Sequence, residues 1–129
     1  MDHSVAFIDA NYVNNASLDG FGILCVPGGD MYRYAQDISS VGKEKIRNFV
    51  RKGGGYIGIC GGAYFASEKV FWQGNQLSME PLGLFQGVAK GPINEIVPHP
   101  NYAMCRIDIA DTTHPVTQSE PDSAWILYY

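Results

Sequence analysis

The run Gly55-Tyr56-Ile57-Gly58-Ile59-Cys60-Gly61-Gly62-Ala63-Tyr64 constrains the fold more than any other stretch of the chain. It reads as a short apolar strand that carries one cysteine into a glycine-flanked turn and straight on into a helix. Gly58-x-Cys60-x-Gly62 is the thiol form of a nucleophile elbow. A strand that turns this sharply into a helix brings backbone segments so close that side chains would clash, and leaves the nucleophile itself in a strained conformation. The competing interpretation is a buried strand cysteine before an ordinary glycine turn. The strand–turn–helix context favours the elbow, with the thiol at a helix N-terminus, where partial positive charge favours a thiolate.

A chain of 129 residues, 46% hydrophobic and 17% charged, suits one globular domain, taken as residues 1–129. No apolar run reaches the roughly 18 residues of a membrane span. The start, Met1-Asp2-His3-Ser4, lacks the basic region of a secretory signal. A cytoplasmic setting without membrane partners is therefore expected. The net charge of −4 argues against a nucleic-acid surface. Lys43, Lys45, Arg47, Arg51 and Lys52 do cluster, and are expected to form a solvated helix face. Cys25, Cys60 and Cys105 are too widely spaced for a zinc site or a disulfide framework, so no metal and no cofactor are expected. Cys25 and Cys105 lie in strand-like runs and read as small buried hydrophobes.

Val5 to Ile8 is a first strand candidate. Gly22 to Pro27 is a second, apolar enough for burial on both faces of a parallel sheet. It ends in the turn Pro27-Gly28-Gly29-Asp30. Ser39-Ser40 caps a helix from about Val41 to Lys52, with Ile46, Phe49 and Val50 on one face. Gly53-Gly54-Gly55 ends that helix and opens a strand from Tyr56 to Cys60, and a helix follows from Gly62 to about Lys69. This order is a βαβ unit, and the fold class is α/β with a mainly parallel sheet. Further strand candidates are 76–79, 93–97, 104–109 and 124–129. The terminal strand leaves an edge that must be covered, and a homodimer is one way to cover it.

In an open α/β sheet the loops at the carboxyl ends of the strands converge on one crevice. The turn at Gly29 and Asp30 and the elbow at Cys60 are then neighbours. Backbone N–H groups around Gly29 and Asp30, with that of Gly61, would form an oxyanion hole for acyl transfer. Pro-Gly-Gly alone is a common turn; beside the elbow it is specific.

Residues 22–30 and 46–67 together resemble the class I glutamine amidotransferase-like superfamily. Within it they are most similar to the family named for the N-terminal domain of eukaryotic biotin–protein ligase. Residues 82–92 and the terminal Tyr128-Tyr129 also resemble that family. The resemblance implies a flavodoxin-like three-layer α/β/α sandwich, with Cys60 at the nucleophile position and Gly29 near the oxyanion hole. It does not imply biotin ligation, whose chemistry belongs to a separate catalytic domain. Members of the family usually begin one strand and one helix earlier and continue past the tyrosine pair, so the chain reads as truncated at both ends.

A cysteine nucleophile needs a base, usually a histidine oriented by a carboxylate. The late His-x-Glu by which glutamine amidotransferases resemble one another does not occur here. His3 is a poor candidate at the N-terminus. His99, in Pro98-His99-Pro100, is the preferred partner and His114 the alternative; a solvent-facing loop histidine is the bland reading of both. Glu95 or Glu80 could supply the carboxylate. Asp30 could instead touch the thiol or a substrate amine. Tyr64, one helical turn past Cys60, is the aromatic expected to line the pocket. The leading expectation is a cysteine-dependent hydrolase or amidotransferase-like enzyme acting on a small amide or ester. A catalytically silent domain binding a small molecule or partner in the same crevice is the alternative, and a ThiJ-like reactive-thiol protein a further one.

Overall fold

The computed structural model describes residues 4–128, so His3 and Tyr129 lie outside the described residues. The fold is mixed α/β with several small sheets, and the chain divides into two compact units, Met1–Ala89 and Lys90–Tyr129.

In the first unit, β1 (Ile23–Val26) and β2 (Gly55–Gly58) form a parallel pair, in register from Ile23 opposite Gly55 to Val26 opposite Gly58. The crossover between them holds α2 (Met31–Asp37) and α3 (Ser40–Arg51), after α1 (Ala10–Asn15) near the start of the chain. The expected βαβ unit is thus present. The Ser39 hydroxyl accepts from the Gly42 N–H at 3.1 Å and caps α3. Ile46 and Phe49 face inward at i, i+3, and join Leu24, Val26, Val13 and Phe65 in one core.

Three expectations fail in this unit. Val5 to Ile8 is not a strand; Phe7 is fully exposed, and among the described residues no strand pairs with it. The β1–β2 pair is covered on one face only. Strand alternation turns Leu24 and Val26 inward and leaves Ile23, Cys25 and Ile57 outward and exposed. Cys25 is therefore an exposed thiol, where a buried one was expected. The basic face of α3 is only partly solvated. The Lys43 side chain is buried and pairs with Glu80 at 3.3 Å, while Arg47 reaches Glu80 at 3.5 Å and the carbonyls of Pro81 and Leu82.

Helix α4 (Gly61–Ala66) is shorter than expected, because Ser67–Trp72 is a strand, β3. The Ser67 hydroxyl donates to the Tyr64 carbonyl at 2.7 Å, at the end of the helix, and Val70, Phe71 and Trp72 are good strand formers. A two-residue turn, Gln73 and Gly74, both at positive φ, joins β3 to β4 (Asn75–Gln76). The sheet runs in the order β4-β3-β5, with β5 (Phe85–Gly91) a strand absent from the sequence reading.

In the second unit, β6 (Ala103–Asp108) and β7 (Ser123–Tyr128) pair antiparallel, close to the strands expected at 104–109 and 124–129. Residues 93–97 form turns, not a strand. Cys105 is half-buried. The mainly parallel sheet is corrected to small sheets of mixed direction: β1–β2, joined by a helical crossover, is parallel, whereas β3–β4 and β6–β7 are antiparallel.

Candidate functional site

Strand β2 ends at Gly58, and Cys60 stands between it and α4 with φ +50° and ψ −114°. A non-glycine residue at positive φ is uncommon, and holding one there costs on the order of 1–3 kcal/mol. The glycines around it are needed for close backbone approach. A Cβ on Gly58 would lie 2.6 Å from the Gly62 carbonyl oxygen. One on Gly62 would overlap the Val26 carbonyl, and one on Gly61 the Gly29 carbonyl. The tightest of these packings join α4 to the carboxyl end of β1 and the turn beyond it. Cys60 is exposed at the resulting corner.

The turn Pro27–Asp30 and the elbow are neighbours. The Gly29 nitrogen lies 3.2 Å from where a Gly61 Cβ would be. Among the described residues, no hydrogen bond takes the N–H of Gly29 or of Gly61, although Gly61 is buried. Buried backbone donors are almost always satisfied, which makes the Gly61 N–H unusual, whereas Gly29 is exposed and its N–H is open to solvent.

Two phenols hold this backbone. The Tyr34 hydroxyl, on α2, lies 3.0 Å from the Pro27 carbonyl and 3.1 Å from that of Gly28, and donates to them. Tyr56, on β2, donates to the Gly62 carbonyl at 2.9 Å. Burial, with the charge of Cys60 second, raises Tyr34 above the usual phenol range. Burial and then the charges of Tyr34 and Cys25 push Tyr56 higher still. Both remain donors at neutral pH. Tyr34 was missed from the sequence, although Asp30 followed by Met31-Tyr32-Arg33-Tyr34-Ala35 is a helix-start signal that could have placed it one turn beyond the Gly-Gly pair.

The remaining candidates have defined places. Asp30 caps α2, its Oδ1 accepting from the Tyr32 N–H at 2.8 Å. Tyr64 lies edge-on to Trp72, ring centroids 5.9 Å apart. With Tyr56, Gly58, Ser67 and Phe85 it lines an open, mostly apolar depression of about 370 Å³ that does not include Cys60. The Glu80 carboxylate is engaged by Lys43 and Arg47, Lys43 foremost, and both hold it below the usual glutamate range. Glu95, His99 and His114 belong to the second unit. The His99 N–H donates to Asn94 Oδ1 at 3.3 Å, and His114 Nδ1 accepts from the Val116 N–H at 3.2 Å. Among the described residues no group of three His, Cys, Asp or Glu is placed to hold a metal ion, and no helix is long and apolar enough to cross a membrane.

Comparison with known proteins gives these residues a context. An uncharacterised protein of Chlamydia muridarum is 39% identical over 74 residues, 54% of this chain and 29% of its own length. A biotin–protein ligase of Schizosaccharomyces pombe is 29% identical over 96 residues, 70% of this chain and 15% of its own length. The chain thus spans less than a third of the length of either of these curated relatives. No solved structure matches. The family described as biotin-protein ligase, N terminal, matches residues 2–124. On that match, which includes the elbow and the turn beside it, the chain belongs to the biotin-protein ligase N-terminal family.

Proposed function

We propose that the chain is a cysteine-dependent acyl-transfer domain acting on a small amide or ester, built on the flavodoxin-like plan of the class I glutamine amidotransferase-like superfamily. The observation that carries this reading is Cys60 at φ +50°, with the uncommitted N–H groups of Gly29 and Gly61 beside it. Cys60 Sγ attacks the carbonyl carbon, a C–S bond forms, and the π pair moves to an oxygen received by those N–H groups. Collapse breaks the bond to the leaving alcohol or amine, which departs with the thiol proton. Water then attacks the thioester, releasing the carboxylic acid and restoring the thiol. Biotin ligation forms no part of this reading.

The test compares the three thiols in one protein. With p-nitrophenyl acetate as acyl donor, mass spectrometry should find the acetyl group on Cys60 at least about tenfold faster than on exposed Cys25 or half-buried Cys105. Cys60→Ser abolishes the fast phase. Acylation of Cys60 no faster than of Cys25 overturns the reading. A second reading, a catalytically silent domain that binds a small molecule, is favoured by one fact: the apolar depression lined by Tyr56 and Tyr64 does not include Cys60. That reading predicts no fast acylation and a ligand seated in the apolar depression lined by Tyr56 and Tyr64.

A further inference from the structure

We infer that Tyr34 is a positioning residue for the Cys60 site, setting the direction of the oxyanion-binding donor at Gly29. This rests on the acyl-transfer reading above. The Tyr34 hydroxyl has one proton and two carbonyl acceptors, Pro27 at 3.0 Å and Gly28 at 3.1 Å. A trans peptide is planar, so the N–H of a residue points opposite the carbonyl before it. Anchoring the Gly28 carbonyl on the phenol therefore directs the Gly29 N–H away from the phenol. The Gly29 nitrogen is among the atoms packed against Gly61, the residue that follows Cys60.

The phenol is itself fixed from two sides. Its ring lies 6.0 Å from that of Phe65, which is fully buried in the helix that begins at the elbow. On the turn side, Gly29 has φ +149°, and a methyl added there would lie 2.9 Å from the Tyr34 oxygen. The turn, the phenol and the helix that follows Cys60 are thus packed on one another, and the hydroxyl is the part of Tyr34 that touches the turn's carbonyls. The residue acts on the donor, not on the substrate.

The experiment separates this role from mere support by using two electrophiles on the same protein. Acylation by p-nitrophenyl acetate passes through an oxyanion; alkylation by iodoacetamide does not. Tyr34→Phe keeps the ring and removes the hydroxyl. Cys60 acylation should fall about tenfold, the weight of one net hydrogen bond, while Cys60 alkylation stays within about twofold. Gly29→Ala reaches the same contact from the turn and should lower the acylation-to-alkylation ratio as well. In the double variant the methyl has room, so the two effects should combine to less than their product. An equal fall in both rates, no fall in either, or strictly multiplicative effects would overturn the role of Tyr34 while leaving the acyl-transfer reading in place. If wild-type Cys60 is acylated no faster than Cys25, that reading fails and this inference fails with it.

Discussion

The two units use similar apolar residues to opposite ends. In residues 4–89, helices laid across one face of a parallel pair enclose Phe65, Ile46 and Leu82 almost completely. In the second unit no described residue after Gly91 is buried, although β6 and β7 carry Met104, Ile107, Trp125, Ile126 and Leu127. Composition does not separate them; layering does. A helix with apolar residues at i, i+3 brings a second surface over a sheet, whereas a two-stranded hairpin has no second surface and is marginal alone. The first unit also holds backbone against backbone at Gly58, Gly61 and Gly62, which fixes Cys60 where strain is tolerated.

The sharpest way to break that comparison is a pair of truncations. Phe65→Ala, at 0% exposure, should cost about 4 kcal/mol in urea unfolding. Trp125→Ala, at 65% exposure, should cost under about 1 kcal/mol. A Trp125→Ala cost that matches Phe65→Ala and grows with protein concentration would mean that copies of the chain cover the hairpin. Next in size is Gly61→Ala. Its methyl meets the Gly29 carbonyl, a backbone atom that cannot rotate away, so a loss of about 2–3 kcal/mol is expected. The same change should lower Cys60 acylation more than alkylation, because it displaces Gly29. Ile107→Ala in β6, by contrast, should cost under about 1 kcal/mol; a loss as large as that of Gly61→Ala would contradict the exposed hairpin.

The parts of the fold legible in the sequence are those specified locally. The apolar run of β1, the i, i+3 pattern and Ser39 cap of α3, and the glycines around Cys60 each carry their geometry within a few residues. The parts that escaped depend on neighbours. Val5 to Ile8 has strand composition, but a strand exists only when another pairs with it. Helices α1 and α2, of six and seven residues, are too short to display a period. Ser67 to Trp72 follows a helix without a break in polarity, and only the Gln73-Gly74 turn pairs it with β4. In the site, Cys60, Gly29 and Gly61 were legible because glycine spacing encodes close approach. The helix start at Asp30 places Tyr34 near the turn, but no pattern in the chain shows that its phenol reaches back to carbonyls six and seven residues earlier.

The smallest effect concerns the ion pairs, and it sharpens the same contrast. Glu80 meets a Lys43 side chain that is only 5% exposed, while Asp108 in the second unit meets an Arg106 side chain that is open to solvent. Solvent screens the second pair, so Asp108→Asn should leave stability unchanged within about 0.5 kcal/mol. Glu80 is itself exposed, so Glu80→Gln should cost about 1 kcal/mol at most. Its sign with pH is fixed. The hydrogen bond and charge of Lys43, with a lesser part from Arg47, lower the folded carboxyl below its unfolded value. The stability it adds is complete above the unfolded glutamate range and drains away as pH falls through the lowered folded value. The difference between wild type and Glu80→Gln should therefore be constant from about pH 6 to 8 and shrink below about pH 4. Lys43→Met should remove most of that acid dependence, since Lys43 supplies the leading part of the shift. An acid slope that survives Lys43→Met intact would mean that Glu80 is held by Arg47 instead, and that burial of the lysine stem serves packing alone.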